Sequence, residues 1–355
     1  MSANATAQEE TGPSEVESLV AAQRAHFATG ATIPAEARLA ALTALEDAIR
    51  AHETEINAAL KADLGKSACE SYMCEVGLTL AEIGYLKRHL RSWMRPKHVH
   101  TTLANFPAKS FTVAEPYGVC LVMSPWNYPF MLTMDPLAGA LAAGNCCVLK
   151  PSAYSPATSA IIAKLCAEAF PRELVCTVEG GRRQNTELLD QRFDYIFFTG
   201  GATVGRLVME KASRNLTPVS LELGGKSPCV VAADADIELA ATRIAFGKFL
   251  NCGQTCVAPD YVLVDRSVHD RFVAALCARI RTMYGEDPLD NPDYGRIVNE
   301  KHFNRVMGII DPAKVVAGGA ARADELRIQP TVLDGVTAQD AVMQEEIFGP
   351  VLPII

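Results

Sequence analysis

The sequence lacks several features that would assign it to whole classes of protein. Basic residues do not predominate, since 33 lysines and arginines face 41 aspartates and glutamates, and this acidic balance argues against nucleic acid or an anionic membrane as a partner. No apolar run reaches the length of about 18 residues that a membrane span needs. Residues 1–14 are small, polar and acidic, so they predict a disordered tail without a secretory signal.

Cysteine and histidine usage excludes further classes. The 11 cysteines are an odd number in a chain without a secretory signal, which favours free, mostly buried thiols and a cytoplasmic location. Cys252 and Cys256 are close in sequence, but no second Cys or His pair at zinc-like spacing lies nearby, so we predict no metal site. The 7 histidines offer no convincing base, because none accompanies a candidate nucleophile.

What is present is typical of a folded α/β protein. The 355 residues are 49% hydrophobic and 21% charged, which suits two packed domains. From residue 118, short apolar runs alternate with helical patterns, as in a Rossmann-like, doubly wound parallel sheet that binds ligands beyond the carboxyl ends of its strands. The predicted strands are Val119–Met123, Cys146–Leu149, Leu174–Val178, Tyr195–Phe198 and Val219–Leu221.

Other segments flank this core. The apolar spacing in the first hundred residues predicts helices, and the composition of residues 99–117 indicates an irregular hairpin or arm. A second α/β region begins at about residue 224. The predicted helices outside the alternating segment are Val16–Phe27, Pro34 to near Gly65, Glu70–Trp93, Ile237–Leu250 and Val268–Met283, and the later strands lie near Tyr261–Val264 and Ile328–Val332.

Two motifs point to a ligand with phosphate or ribose groups. Gly200, Gly201 and Gly205 lie between a strand and a helix, where glycines let a pyrophosphate approach a helix N-terminus. Lys150 ends an apolar strand, where its ammonium could hold ribose hydroxyls or a phosphate. Each motif also fits a structural interpretation: an ordinary strand–turn–helix junction in one case, and a solvated lysine in the other.

Three residues could carry covalent chemistry. Cys256 lies in a loop among polar residues, as a thiolate nucleophile would. Asn127 lies between two prolines that stiffen its loop, so its amide could stabilise an oxyanion, although turns often contain asparagine. Glu222 is set between two leucines at a strand end, and such an apolar setting favours a general base. A surface glutamate flanked by buried leucines would give the same pattern.

These segments together, in this order, resemble the aldehyde dehydrogenase superfamily, and within it the class 3 branch that acts on fatty and aromatic aldehydes. The resemblance runs from about residue 15 to the last residue. The matching strings are SPWNYPF (124–130), VLKPS (148–152), RFDYIFFTGGATVG (192–205), LTPVSLELGGKSPC (216–229), NCGQTCVAPDYVLV (251–264) and QEEIFGPVLPI (344–354).

The resemblance implies a role for each matching residue. Cys256 would be the catalytic nucleophile, Glu222 the general base and Asn127 the oxyanion-hole side chain. Lys150 would bind the adenosine ribose. The remaining residues implied in binding the dinucleotide are Pro125, Trp126, Gly200, Gly201, Val204, Leu223, Glu346 and Phe348. Residues 15–223 would then form the NAD(P)-binding domain, and residues 224–355 the catalytic domain.

The implied reaction converts an aldehyde, NAD(P)+ and water into a carboxylic acid and NAD(P)H through a cysteine thioester. Glu222 favours hydrolysis over transfer to coenzyme A, because acylating branches generally lack this carboxylate. Ala153 stands where many relatives carry a glutamate that repels the 2′-phosphate of NADP, so we expect NADP to be accepted as well as NAD. Gly201 replaces a frequent Ser or Asn and removes one possible cofactor contact.

The end of the chain carries a further expectation. The chain ends in the apolar run 351–355, whereas relatives continue beyond this motif, so we expect an incomplete catalytic domain. Longer relatives would form homodimers. The alternatives are a non-catalytic product that binds the dinucleotide or only associates with other copies, and a coenzyme A-acylating enzyme.

Overall fold

A parallel sheet organises the first part of the chain, and smaller sheets follow it. The computed structural model describes residues 14–355, so residues 1–13 of the predicted tail lie outside the described part. The helices are α1 (Glu15–Ala28), α2 (Ala35–Ala51), α3 (Glu53–Leu64), α4 (Ala68–Ser71), α5 (Gly77–Trp93), α6 (Met131–Ala143), α7 (Pro156–Ala169), α8 (Arg182–Leu189), α9 (Ala202–Ser213), α10 (Ile237–Phe249), α11 (His269–Tyr284), α12 (Glu300–Gly308) and α13 (Ala341–Gln344).

The strands follow the same chain order. They are β1 (Lys97–Val99), β2 (Ser110–Thr112), β3 (Val119–Met123), β4 (Cys146–Lys150), β5 (Val175–Thr177), β6 (Tyr195–Thr199), β7 (Val219–Glu222), β8 (Pro228–Val231), β9 (Tyr261–Val264), β10 (Val315–Ala317), β11 (Ala321–Arg322), β12 (Arg327–Ile328), β13 (Thr331–Leu333) and β14 (Val351–Pro353). β1 and β2 pair antiparallel in the segment where the sequence predicts a hairpin.

The main sheet confirms the predicted α/β fold class. Its order is β5-β4-β3-β6-β7, and neighbouring strands run parallel. The chain builds outward from β3 to β5 and then returns to the other side of β3 with β6. Adjacent loops diverge at such a reversal and open a crevice at the carboxyl ends of the strands. Here the crevice opens between β3 and β6.

Alternation along the strands explains why both faces of this sheet are covered. In β3, Val122 packs into one apolar cluster with α2, α3, α5, α6 and α7, whereas Leu121 and Met123 pack into another with α1, α8 and α9. Successive strand residues point to opposite faces, so a strand that is apolar throughout needs helices on both sides.

The second part of the chain has its own sheets and apolar clusters. β8 pairs with β9 in parallel, and β10, β13 and β14 form a three-stranded sheet. A bridge between Val262 and Ile354 joins β9 to the residue after β14. α10 and α11 cover this region in a cluster that includes Phe249 and Phe272. Among residues 14–355, no helix is both long and apolar enough to cross a membrane.

Three predicted elements are interrupted in the structure. The helix expected from Pro34 to Gly65 breaks at His52, whose ring lies within hydrogen-bonding distance of Glu55 and Glu168. The helix expected over 70–93 contains a π-helical turn at 72–76. The strand expected near 328–332 is split, because Pro330 has no N–H to donate to a sheet.

Candidate active site

One cleft of about 320 Å³ lies where β3, β6 and β7 end, and loops from the second part of the chain close it. Most of the predicted site residues line it together. They are Pro125, Trp126, Asn127, Gly200, Gly201, Glu222, Leu223, Cys256, Glu346 and Phe348. The cleft therefore gathers the candidate nucleophile, the candidate base and the glycine turn at the position expected for a ligand site in this fold.

Cys256 lies in the loop between α10 and β9 and is half-buried. Burial raises the pKa of its thiol above the usual value, and the nearby carboxylates of Glu346 and Glu222 raise that pKa further. The backbone N–H groups of Cys256 and Val257 act in the opposite direction. Donors that favour a thiolate in this way would also favour an oxyanion formed next to the sulfur.

Asn127 is held in a fixed orientation beside this loop. Its side chain is buried, and its amide Nδ2 donates to the carbonyl of Gln254 at 2.9 Å. The adjacent Tyr128 hydroxyl lies 2.6 Å from the Thr255 hydroxyl, immediately before Cys256 in the chain. Because these contacts join the two loops, Asn127 and Cys256 face the same cleft in a fixed relationship.

The apolar setting that the sequence suggests for Glu222 is wrong. Glu222 is exposed within the cleft, and Leu223 is 36% exposed. The reason is that β7 is the outer strand of the sheet, so its last residues are covered on one side only. A solvent-accessible carboxylate facing the cleft can still reach a water molecule near Cys256.

The glycine turn after β6 fits a dinucleotide. Gly201 is the N-cap of α9 and has no side chain to cap that helix, and an added Cβ there would meet open space. The Thr199 hydroxyl lines the cleft and is buried without a hydrogen-bond partner in the described part of the chain. Free N–H groups at a helix start and an unpaired hydroxyl suit a ligand rich in phosphate and ribose oxygens.

The segment that carries Glu346 and Phe348 is fixed from several sides. Lys226 donates to the Glu345 carbonyl at 2.9 Å, and Asp260 accepts from the Ile347 N–H at 2.9 Å. The Glu346 carboxylate accepts from the Gly225 N–H at 3.2 Å. It lies so close to Gly224 that a Cβ at that position would displace the carboxylate.

Two predicted residues do not line the cleft. Lys150 is buried at the end of β4, and its ammonium donates to the Pro151 carbonyl at 2.7 Å. Burial lowers the pKa of this lysine to about 8. Val204 lies in the first turn of α9 and is 41% exposed, beside the glycine turn but outside the cleft.

The cleft also contains residues that sequence reasoning missed, namely Thr199, Gly224, His302, Arg305 and Glu345. The His302 ring lies 5.1 Å from the Trp126 ring, and Trp126 packs edge-on against Phe348 at 5.3 Å. Burial lowers the pKa of His302. No histidine accompanies a candidate nucleophile along the sequence, and α12 brings His302 to the cleft from a segment without a recognisable motif.

Comparisons with known proteins agree with this geometry. The model of the aldehyde dehydrogenase family matches residues 3–355. The chain is 44% identical to "Aldehyde dehydrogenase, dimeric NADP-preferring" of Canis lupus familiaris, covering 96% of this chain and 76% of the relative. It is 45% identical to "Aldehyde dehydrogenase family 3 member B1" of Mus musculus, covering 94% and 71%. A solved structure, the substrate-bound state of Staphylococcus aureus AldH, matches with a TM-score of 0.94 and 44% identity over 96% of this chain and 75% of that chain.

Proposed function

Since the chain belongs to the aldehyde dehydrogenase family, a family of oxidoreductases that act on aldehydes, we propose that it oxidises an aldehyde to a carboxylic acid through a covalent intermediate on Cys256. The observation that carries the proposal is the single cleft that joins Cys256, Asn127 and Glu222 to the glycine turn after β6. We further propose that residues 15–223 bind the dinucleotide and that residues 224–355 carry the nucleophile.

The first step is the attack of the Cys256 thiolate on the aldehyde carbon. A carbon–sulfur bond forms, and the carbonyl electron pair moves onto oxygen. The Asn127 amide and the Cys256 backbone N–H stabilise this oxyanion, and each such donor contributes roughly 3–4 kcal/mol in comparable sites. A bound NAD+ or NADP+ supplies the hydride acceptor.

The second step releases the acid from the protein. Loss of hydride from the tetrahedral carbon leaves a thioester on Cys256. Glu222 takes a proton from water as the water oxygen attacks the thioester carbon, and the carbon–sulfur bond then breaks to return the thiolate. The exposed position of Glu222 in the cleft supports this role, because the carboxylate reaches both solvent and the neighbourhood of Cys256.

The cofactor is a nicotinamide dinucleotide, since the canine relative is named NADP-preferring and the turn after β6 fits phosphate and ribose groups. The first turn of α9 and Thr199 would hold these groups, and Glu346 with Phe348 would hold the nicotinamide end. We also propose a cytoplasmic location, and a homodimer for a full-length form; the canine relative is named dimeric.

The experiment that tests this function follows absorbance at 340 nm with the full chain, a medium-chain or aromatic aldehyde and either dinucleotide. We expect one NAD(P)H for each carboxylate formed, without coenzyme A. An absolute requirement for coenzyme A would instead support the acylating alternative. Dinucleotide binding without any NAD(P)H formation would support the non-catalytic alternative.

Replacing Ala153 with glutamate should shift preference from NADP+ towards NAD+. Ala153 is exposed in the turn after β4, three residues beyond Lys150, where a carboxylate would repel a 2′-phosphate. We expect kcat/KM for NADP+ to fall about tenfold relative to that for NAD+. Ala153→Gln has similar size and no charge, so an equal shift in that variant would contradict the electrostatic reason.

Dinucleotide affinity should decrease as pH rises through the pKa of Lys150. The ammonium form, present below pH about 8, can donate to ribose or phosphate oxygens, whereas the amine form above that pH is uncharged. Titration of tryptophan fluorescence with NADP+ from about pH 7 to about pH 9 measures this change. Lys150→Met should bind NADP+ more weakly than the wild type, and its affinity should change little with pH. If the affinity of Lys150→Met changed with pH as that of the wild type does, Lys150 would not be the group responsible for the pH dependence.

A further inference from the structure

A buried ion pair lies directly behind the loop that carries Asn127. Lys66 follows α3, and Glu75 lies in the π-helical turn before α5. Both side chains are fully buried, and the Lys66 ammonium donates to the Glu75 carboxylate. The ammonium also lies 4.1 Å from the centre of the Tyr128 ring. Removing two charges from water is costly unless further hydrogen bonds satisfy them, so this pair needs additional partners in the protein.

Those partners are backbone atoms of a single segment, 127–131. Lys66 Nζ donates to the Asn127 carbonyl at 3.0 Å. The second Glu75 oxygen accepts from the Phe130 N–H at 2.8 Å and from the Met131 N–H at 3.2 Å, at the start of α6. A carboxylate is favourable at a helix N-terminus. The ion pair therefore holds both ends of the short segment that begins with Asn127.

The same carbonyl is shared with the nucleophile loop. The Asn251 amide donates to the Asn127 carbonyl at 2.7 Å, while the Asn127 amide donates to the Gln254 carbonyl. Asn251 has a φ of 50°, a left-handed conformation that asparagine adopts more readily than most non-glycine residues. Glu70 accepts from the Asn251 N–H at 2.8 Å and so holds this turn in place.

We propose that Lys66 is a positioning residue for the reaction proposed above. Its ammonium fixes the Asn127 carbonyl, and with Asn251 it sets the peptide orientation from which the Asn127 amide faces the oxyanion. Lys66 does not line the cleft that contains Cys256, so it would act through Asn127. The inference rests on the proposed function, because it assigns Asn127 the role of oxyanion donor.

The variant that tests it is Lys66→Met/Glu75→Gln in the full chain. The single change Lys66→Met would leave a buried, unpaired carboxylate and risk unfolding. The double change removes both charges, while the glutamine oxygen can still accept from the Phe130 N–H. The matched control is Thr79→Val, which deletes a partly buried hydrogen bond of 2.8 Å to Asp135 between α5 and α6 without touching the Asn127 loop.

We expect the double variant to lower kcat roughly 10²-fold with little change in the KM for aldehyde, and Thr79→Val to leave kcat within about twofold. Combining the double variant with Asn127→Ala should cost no more than Asn127→Ala alone, since both act on the same donor. A kcat near that of the wild type, an equal loss in Thr79→Val, or multiplicative losses in the combined variant would each overturn the proposal.

Hydrogen exchange separates this proposal from the proposed function. By mass spectrometry, a peptide covering residues 124–131 should exchange faster in the double variant than in the wild type or Thr79→Val, because the amides of Phe130 and Met131 lose a charged acceptor. Unchanged protection would overturn the positioning role whatever the activity. If the wild type formed no NAD(P)H, while the peptide still exchanged faster in the double variant than in the wild type, only the enzymatic function would be refuted.

Discussion

Replacing Cys256 with alanine should abolish NAD(P)H formation, with a loss of at least about 10⁴-fold in kcat. Without the sulfur no thiohemiacetal forms. A free aldehyde then lacks the tetrahedral oxyanion whose collapse would expel the hydride. Because Cys256 only lines the cleft and is half-buried, alanine should leave the fold and the dinucleotide site intact. Absorbance at 340 nm measures the loss, and fluorescence titration measures the retained dinucleotide binding.

The matched control is Cys69→Ala, at an exposed cysteine outside the cleft.

The reactivity of the Cys256 thiol should depend on pH. Burial raises the pKa of this thiol, and the carboxylates of Glu346 and Glu222 raise it further. The thiolate fraction therefore grows as pH rises towards that pKa. Alkylation of Cys256 by iodoacetamide should therefore accelerate with pH through the neutral and mildly alkaline range. Substantial NAD(P)H formation by Cys256→Ala, or a rate of Cys256 alkylation that does not change with pH, would contradict the assignment of Cys256 as the nucleophile.

The parts of the site that sequence predicts are those that depend on local pattern. Apolar runs such as Val119–Met123 are buried along their whole length. A run of this kind between helices is typical of a strand in the middle of a parallel sheet, where both faces are covered. Once the strands are assigned, the ends of β3 and β6 must meet at the crevice. Gly200 follows β6 directly and Asn127 lies in the loop that follows β3, so their convergence is predictable.

The parts that were missed depend on tertiary packing. His302 and Arg305 come from α12, and only the packing of that helix against the loop at 345–348 brings them to the cleft. Lys66 and Glu75 are nine residues apart, a separation that points side chains to opposite sides of a regular helix. They meet because α3 ends at Leu64, with Gly65 as its C-cap, and a π-helical turn carries Glu75; hydrophobic periodicity predicts neither feature.

Glu222 illustrates the same limit in a residue that was correctly assigned to the cleft. The flanking leucines suggest burial, but burial depends on which strand lies at the edge of the sheet, and strand order is a property of the whole fold. The outer position of β7 leaves Glu222 exposed to the cleft. An exposed carboxylate is in contact with solvent water, the reactant that the proposed base would deprotonate.

Replacing Glu222 with glutamine should separate the two halves of the reaction. In the proposed mechanism hydride transfer needs Cys256 and Asn127 but not Glu222, so a single burst of about one NAD(P)H per site should remain. Steady-state turnover should then fall about 10²–10⁴-fold, because the water that attacks the thioester has lost its general base. Stopped-flow absorbance at 340 nm resolves the two phases, and intact-protein mass spectrometry should detect the acyl group on Cys256.

Hydroxylamine provides the rescue that distinguishes this role from a structural one. It attacks thioesters without a general base, so it should restore turnover of Glu222→Gln as the acyl hydroxamate while adding little to the wild type. The control is Glu210→Gln, an exposed carboxylate on the surface of α9, which should show neither a burst nor a response to hydroxylamine. If Glu222→Gln lost the burst together with the steady state, Glu222 would be acting before the thioester forms, as the base that takes the proton of the Cys256 thiol.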